Sequence, residues 1–203
     1  GMVLLKNEGG LLPFKKGVNL AVVGPHAGSQ RDLFESYKGD QLCMDKTYSC
    51  IQTVGSVFTE LNCNASTAVE VGLDTFGEEV YEGSYKAALA AAEGADQIVL
   101  ALGIGNQNEY ETGDRTTINL PGLQEQLAMD ILALEKPTVL VLVNGGAIAI
   151  ENIAPKAKAI VEAFYPGRRA GEALFGAIYG DSNRFGKLPM TIYESNFVNE
   201  QSM

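Results

Sequence analysis

Ile98-Val99-Leu100-Ala101-Leu102 is an unbroken apolar run, and the pattern on its C-terminal side decides the fold. A polar stretch extends to Arg115. Then Leu123, Leu127, Ile131 and Leu134 recur at helical spacing, and a second apolar run, Thr138-Val139-Leu140-Val141-Leu142-Val143, completes the unit. Two short β-branched or apolar runs joined through an amphipathic helix read as a βαβ unit, and strands apolar at every position are buried on both faces of a parallel sheet. The pattern extends outward. Leu20 to Val23, Ala68 to Val71 and Ala159 to Ala163 read as further strands, and Ile51, Val54, Phe58 and Leu61, then Tyr85, Leu89 and Ala92, mark core-facing helices between them. A fourth helix is predicted over Arg168 to Tyr179, closed by Gly180, and Pro121-Gly122 opens the third. The fold class is α/β: a doubly wound, mostly parallel sheet with helices on both faces, an αβα sandwich of Rossmann-like form.

The 203 residues, 46% hydrophobic and 20% charged, have globular composition and exclude a disordered tail, a collagen or a small disulfide scaffold. One domain over residues 1–203 is expected, and at this length the core needs neither metal nor disulfide for stability. Fifteen basic against 25 acidic residues give a net charge of -10, spread along the chain, with no basic stripe to neutralise a phosphate backbone. Nucleic acid and anionic membrane are therefore not expected partners. The longest apolar runs stop well short of the ~20 residues that cross a bilayer, and the N-terminus carries no signal-peptide pattern. Cys43, Cys50 and Cys63 fit no CxxC metal spacing, so no metal site is expected.

In a doubly wound sheet the loops leaving the carboxyl ends of the strands line the ligand crevice. Here those loops are Gly24-Pro25-His26-Ala27, Gly103 to Arg115, Asn144-Gly145-Gly146 and Phe164-Tyr165-Pro166-Gly167. The second is long for a βα connection, where about 2 to 6 residues are usual. It concentrates Glu109, Glu111, Asp114, Arg115 and several amides, groups suited to hydrogen-bonding a polyhydroxylated ligand and to proton transfer, although a solvated acidic loop has the same composition. Gly24 to Gly28 comes directly after a strand and carries two glycines, but G-x-G-x-x-G is broken at Ala27 and Pro25 removes an amide that a phosphate would use. No cofactor is expected. His26 reads as a loop residue rather than a catalytic base, since no serine or cysteine nucleophile motif accompanies it.

Five ordered segments carry a resemblance. Met2-Val3-Leu4-Leu5-Lys6-Asn7-Glu8 through Leu11-Leu12-Pro13, then Ala21-Val22-Val23-Gly24-Pro25, is similar to the start of the second domain of glycoside hydrolase family 3. Glu111-Thr112-Gly113-Asp114-Arg115 and Leu120-Pro121-Gly122-Leu123-Gln124 resemble that family's E-G-x-D-R and L-P-G-x-Q elements. Gly186-Lys187-Leu188-Pro189-Met190-Thr191, with Tyr193 and Phe197, resembles its G-[RK]-L-P-x-T-x-Y block. The resemblance implies a retaining β-glycosidase built from a (β/α)8 barrel that holds an aspartate nucleophile and this sandwich domain, which supplies the acid/base. It implies as partners a β-linked oligosaccharide or glycoside and the N-terminal barrel of the parent protein. No barrel pattern is found in the 203 residues, so the chain alone is expected to be inactive; the alternative is a non-catalytic solo domain that binds carbohydrate or a barrel partner.

By position Glu111 matches the family's acid/base glutamate, although Thr112 stands where glycine is usual; Glu109 is the fallback. Asp114 and Arg115 are expected to pair or to cap the next helix rather than to contact sugar. A retaining enzyme needs a nucleophilic carboxylate and a second carboxyl, protonated at working pH and about 5 Å away, to protonate the leaving oxygen and then activate water. The tail, Tyr193 to Phe197 with Gln201-Ser202-Met203, is most similar to β-xylosidase-like members, with β-glucosidase open. The family also implies an extracellular or secretory parent. In that setting Cys43 and Cys50 are the expected disulfide, with Cys63 free, and the Asn64-Ala65-Ser66 triplet would be a glycan acceptor; three unpaired thiols is the alternative.

Overall fold

The computed structural model describes residues 1–200, so Gln201, Ser202 and Met203 of the tail resemblance lie outside the described residues. In chain order the elements are β1 (Val3–Asn7), β2 (Leu20–Val23), α1 (Val54–Leu61), β3 (Thr67–Glu70), α2 (Ser84–Gly94), β4 (Gln97–Gly103), α3 (Gln124–Leu132), β5 (Thr138–Val143), β6 (Ala159–Glu162), α4 (Ala170–Ile178) and α5 (Phe197–Glu200). The six strands form one sheet in the order β1-β6-β5-β4-β2-β3, parallel throughout except for β1, which runs antiparallel to β6.

Every residue of β2, β4, β5 and β6 is buried, as strands covered on both faces must be. Alternate side chains divide between two cores. Leu20, Val22, Val99, Ala101, Val139, Val141 and Val161 face one side, where Phe58 of α1 and Leu174 and Phe175 of α4 complete the cluster. Ala21, Val23, Ile98, Leu100, Leu140 and Leu142 face the other, against Ala88 and Ala92 of α2 and Leu127 and Ile131 of α3. The helix ends have local causes. Thr53 caps α1, its Oγ1 accepting from Ser56 N–H at 3.0 Å, and Gly180 takes φ +78 just beyond α4.

Three details differ from the sequence reading. Strand β1 was not predicted: its ladder partner is β6, more than 150 residues away, and its burial lacks strict alternation. Leu123 is 47% exposed because the turn at Pro121-Gly122 leaves it at the cap of α3, ahead of the buried face. Leu61, the last residue of α1, is 39% exposed for a similar reason, while Ile51 is buried although it precedes the helix.

The chain runs from β2 outward to β3 and then returns past β2 to β4, so β2 and β4 flank the point where winding reverses. In doubly wound sheets such a reversal is where the ligand crevice lies, outside the carboxyl ends of the strands. The Gly103 to Arg115 loop leaves β4 there.

Candidate active site

The long loop is stitched down from its first residue. Gln124, wholly buried at the start of α3, brackets Gly103: Gly103 N–H donates to Gln124 Oε1 at 2.9 Å and Gln124 Nε2 donates to Gly103 O at 2.8 Å. Asn108 Oδ1 accepts from Gly105 N–H at 2.8 Å, its Nδ2 reaches Thr75 O at 3.0 Å, and Asn106 Nδ2 donates to Phe34 O at 2.6 Å. Fixed in this way, the loop turns back on itself at Tyr110–Gly113, where Gly113 N–H donates to Tyr110 O at 2.8 Å and Tyr110 N–H to Gly113 O at 3.1 Å.

Glu111 and Thr112 form the tip of that turn. Thr112 has φ +74, which explains why a glycine suits this position in the resembling motif. Gly113 lies against the Tyr110 ring, so a side chain there would collide with it.

Glu109 and Glu111 line one recess of about 520 Å³, together with Tyr37, Tyr110, Asp114, Arg115 and Tyr165. Their surroundings differ. Arg115 Nε donates to Glu109 Oε2 at 2.9 Å, with side-chain exposures of 12% and 24%, and Gly146 N–H donates to Glu109 Oε1. Arg115 Nη2 also donates to Ala147 O at 2.8 Å, tying the loop to the segment after β5. Both oxygens of Glu109 are thus engaged by the protein. Glu111 is exposed, and its partner is the Tyr37 hydroxyl, which donates to Oε2 at 2.6 Å. That bond, with burial and the charge of Glu35 as smaller causes, raises the Tyr37 hydroxyl above its ordinary value.

The expectation for Arg115 is corrected in its partner: it pairs with Glu109, not with Asp114, and α3 begins nine positions on, too far for Asp114 or Arg115 to cap. Tyr165 is pushed up to about 12 by burial first, then by the charges of Glu109 and Asp32. His26 sits in a short 3-10 turn after β2, completely buried, and burial drives its pKa down to about 3. Such an imidazole stays neutral and cannot exchange protons with a ligand in the recess.

Sequence reasoning passed over Tyr37 and Glu162, and met Gln124 and Asn144 only within a motif and a strand-end loop, with no role of their own. Gln124 had a signal, a polar residue opening an otherwise apolar helix face. Tyr37 had none, because its partner is 74 residues away. Cys43 and Cys50 form a disulfide with Cα atoms 5.8 Å apart, and Cys63 is unpaired and exposed. Among the described residues no group of three or more His, Cys, Asp or Glu side chains could hold a metal, and no helix is long and apolar enough to cross a membrane.

Comparison with known proteins agrees with this architecture. Residues 2–202 match the model of the glycosyl hydrolase family 3 C-terminal domain. A probable β-D-xylosidase 7 of Arabidopsis thaliana is 35% identical over 99% of this chain, and a β-xylosidase of Formosa agariphila is 32% identical over 94%. The chain spans about a quarter of the length of these relatives, 25% and 26%. Among solved structures, a family 3 exo-β-xylosidase in complex with a xylobiose aziridine probe superposes over 98% of the chain with TM-score 0.85 and 29% identity, covering 25% of that protein. A β-glucosidase of Listeria innocua in complex with glucose superposes over 97% with TM-score 0.81 and 31% identity, covering 26% of it. The chain belongs to the C-terminal domain family of glycoside hydrolase family 3.

Proposed function

We propose that this domain supplies the general acid/base of a retaining β-glycosidase acting on β-xylosides or β-glucosides, in a cleft completed by a (β/α)8 barrel, and that Glu111 is the group that moves the proton. The observation that carries this reading is the contrast between the two carboxylates. Glu109 has both oxygens bound by Arg115 and Gly146, whereas Glu111 stands exposed at a turn tip with only a tyrosine hydroxyl on one oxygen. A carboxyl that must give a proton to a leaving oxygen and later take one from water needs a free face toward substrate. The aromatic rings of Tyr37 and Tyr110 beside it offer surfaces on which a sugar ring can lie. Substrate classes are those in the descriptions of the relatives, xylosidases and glucosidases.

Closure of a barrel over the recess would do two things. It would bring the nucleophilic carboxylate to about 5 Å, and it would expel water, so that desolvation and the facing negative charge favour the protonated acid. The domain alone offers a proton but no nucleophile, so turnover by the chain alone is not expected. An extracellular or secretory location for the parent is part of the same proposal, supported by the Cys43–Cys50 bond, since disulfides persist in oxidising compartments.

The test is Glu111→Ala in the barrel-containing parent. Hydrolysis of substrates with poor leaving groups should fall by about 10²-fold or more, glycosylation by activated aryl leaving groups should be spared, and azide should partly restore turnover, since a small anion attacks the intermediate without a general base. If Glu109→Ala shows the leaving-group dependence and the rescue while Glu111→Ala does not, the assignment moves to Glu109. If neither variant shows them, the loop is a solvated edge and the proposal fails.

A further inference from the structure

Beside the recess that holds Glu111 lies a second one of about 530 Å³, and the two share Ser36, Asn106 and Tyr110. Its volume falls in the range of ligand pockets, roughly 300 to 1,000 Å³. The walls are tied to the protein's own backbone. Asn106 Nδ2 donates to Phe34 O at 2.6 Å on one side; on the other, Asn108 Nδ2 and Gln124 Nε2 both donate to Thr75 O, at 3.0 and 3.1 Å, directly before Phe76. The rings of Phe76 and Tyr110, 43% and 56% exposed, border this space. Two aromatic rings on anchored segments offer a sugar an apolar platform.

The two recesses carry opposite charge. Glu35, Glu109, Glu111 and Asp114 line the first, with Arg115 as the cation among them. Arg31 and Lys38 line the second, and no carboxylate does, in a chain whose net charge is -10. The carboxylates nearest in sequence are directed elsewhere. Asp32 accepts from Ser29 Oγ at 3.3 Å and lies against Gly105, and Asp74 Oδ1 accepts from the N–H groups of Phe76 and Glu78 at 2.9 and 3.0 Å. Glu35 borders the first recess, and Asp40 borders a pocket beside the Cys43–Cys50 disulfide. Among the described residues neither Arg31 nor Lys38 makes a salt bridge. Lys38 Nζ stands 5.9 Å from the centre of the Tyr48 ring, which places the ammonium and leaves its charge uncompensated.

From this arrangement we infer that the second recess is a subsite for a uronic acid, its ring on Phe76 and Tyr110 and its carboxylate held by Arg31 and Lys38. The guanidinium presents a planar fork of N–H donors that matches both oxygens of a carboxylate, and the ammonium adds a second cation. Gln107 and Ser36 supply polar groups for the sugar hydroxyls. A neutral sugar gains the aromatic platform and the hydroxyl contacts but not the ion pairs. Tyr110 precedes Glu111 in the chain and borders both recesses, so the acidic sugar is the leaving group whose oxygen Glu111 protonates. That last step rests on the functional reading above; binding of the acid by the recess does not.

The test titrates this chain with methyl β-D-glucuronide and, separately, with methyl β-D-glucoside, following the Arg31 Nε–H and Phe76 ring resonances. Both resonances should shift with the glucuronide, which should bind about fivefold more tightly than the glucoside. Arg31→Gln and Lys38→Gln should each bring that ratio toward one. Lys86→Gln, which removes the same charge from an exposed position on α2, should leave it as in wild type. Equal affinity for the two sugars overturns the proposal, as does an Arg31 shift that inorganic sulfate reproduces while the glucuronide leaves the Phe76 ring unmoved. In the barrel-containing parent, β-xylosides and β-glucosides whose leaving group carries a carboxylate are compared with the matching carboxamides. The kcat/KM ratio should favour the acid and fall about fivefold in Arg31→Gln. A ratio that Arg31→Gln leaves unchanged overturns the leaving-group assignment. If Glu111→Ala fails its own test while this chain still binds the glucuronide through Arg31 and Lys38, the functional reading falls and the subsite stands.

Discussion

Asn144, Glu162, Gln124 and His26 lie beneath the long loop with no more than 1% exposure, whereas Tyr37, Tyr110 and Glu111 stand above it in solvent, at 74% and 56% for the two tyrosines. The two layers treat polar groups in opposite ways. In the floor, the polar atoms that find a partner find it on the protein's own backbone: Gln124 on Gly103, Glu162 on Phe164, Asn144 on Gly146. In the lip, a carboxylate is left facing outward with a single hydroxyl partner. A group that must act on a ligand needs open faces, and the loop that presents it needs support it does not provide for itself; the floor supplies that support.

The contrast breaks most severely at the base of the loop. Gly103 has φ +146, and an added Cβ would lie 1.9 Å from Val143 O, a backbone atom that cannot move aside without disturbing β5. Gly103→Ala should therefore cost more than about 3 kcal/mol, combining backbone strain with overlap in a packed sheet. The denaturant midpoint of the variant measures it. A cost under about 1 kcal/mol would mean that the end of β4 yields easily and that the floor is not rigid.

Much of this architecture was legible in the sequence because its signals are local. Ile98 to Leu102 and Val139 to Val143 are apolar at every position, as a strand covered on both faces requires, and the glutamates of the loop stood out by the loop's length and composition and by the motif they fall in. The features that stayed hidden depend on pairings distant in sequence. Strand β1 is defined by its ladder to β6. The resemblance already preferred Glu111 over Glu109 by position, but the physical reason for that preference is Arg115 folding back across six residues together with Gly146 arriving from the end of β5. Glu162 lay unremarked within the strand read from Ala159 to Ala163, and it is buried between β1 and β5, the first of which the sequence did not reveal. Leu123 and Leu61 misled for the opposite reason: periodicity counts them as core, and helix ends free them.

A milder break comes through pH. His26 in the floor is held neutral, its pKa lowered from 6.5 to about 3 by burial, so the unfolded chain binds a proton there that the folded chain refuses. Stability from this group is complete above pH 6.5 and declines as the pH falls toward 3. Relative to His26→Leu, wild type should lose about 1.4 kcal/mol per pH unit in that window, or about 2 kcal/mol by pH 5. Glu162 has the reverse sign, its carboxyl raised from 4.5 to about 7, so its contribution is complete below pH 4.5 and is lost as the pH rises through 7. Across the interval where both apply the slopes oppose each other, and wild type should show a plateau that His26→Leu converts into a slope falling toward alkaline pH. Urea midpoints of both proteins, measured across the range, would refute this if the two curves stayed parallel.

The smallest effect separates the two glutamates without any substrate. Glu109 is part-buried and bound on both oxygens, so Glu109→Gln replaces a carboxylate that accepts from a guanidinium by an amide whose nitrogen must face either Arg115 or Gly146 N–H, donor against donor. That mismatch should cost about 1 to 2 kcal/mol, and it should release the Arg115 Nε–H from its ordered position. Glu111→Gln keeps an acceptor for the Tyr37 hydroxyl at an exposed turn tip, and the φ +74 of the adjacent Thr112 is unaffected, so its unfolding midpoint should match wild type within error. The inequality matters more than either value, because a carboxylate that the fold does not need is one that the fold has left available. If Glu111→Gln destabilised the domain as much as Glu109→Gln, the Tyr37–Glu111 contact would be a structural tie rather than a loosely held outward-facing acid, and the preference for Glu111 as proton donor would lose its physical basis.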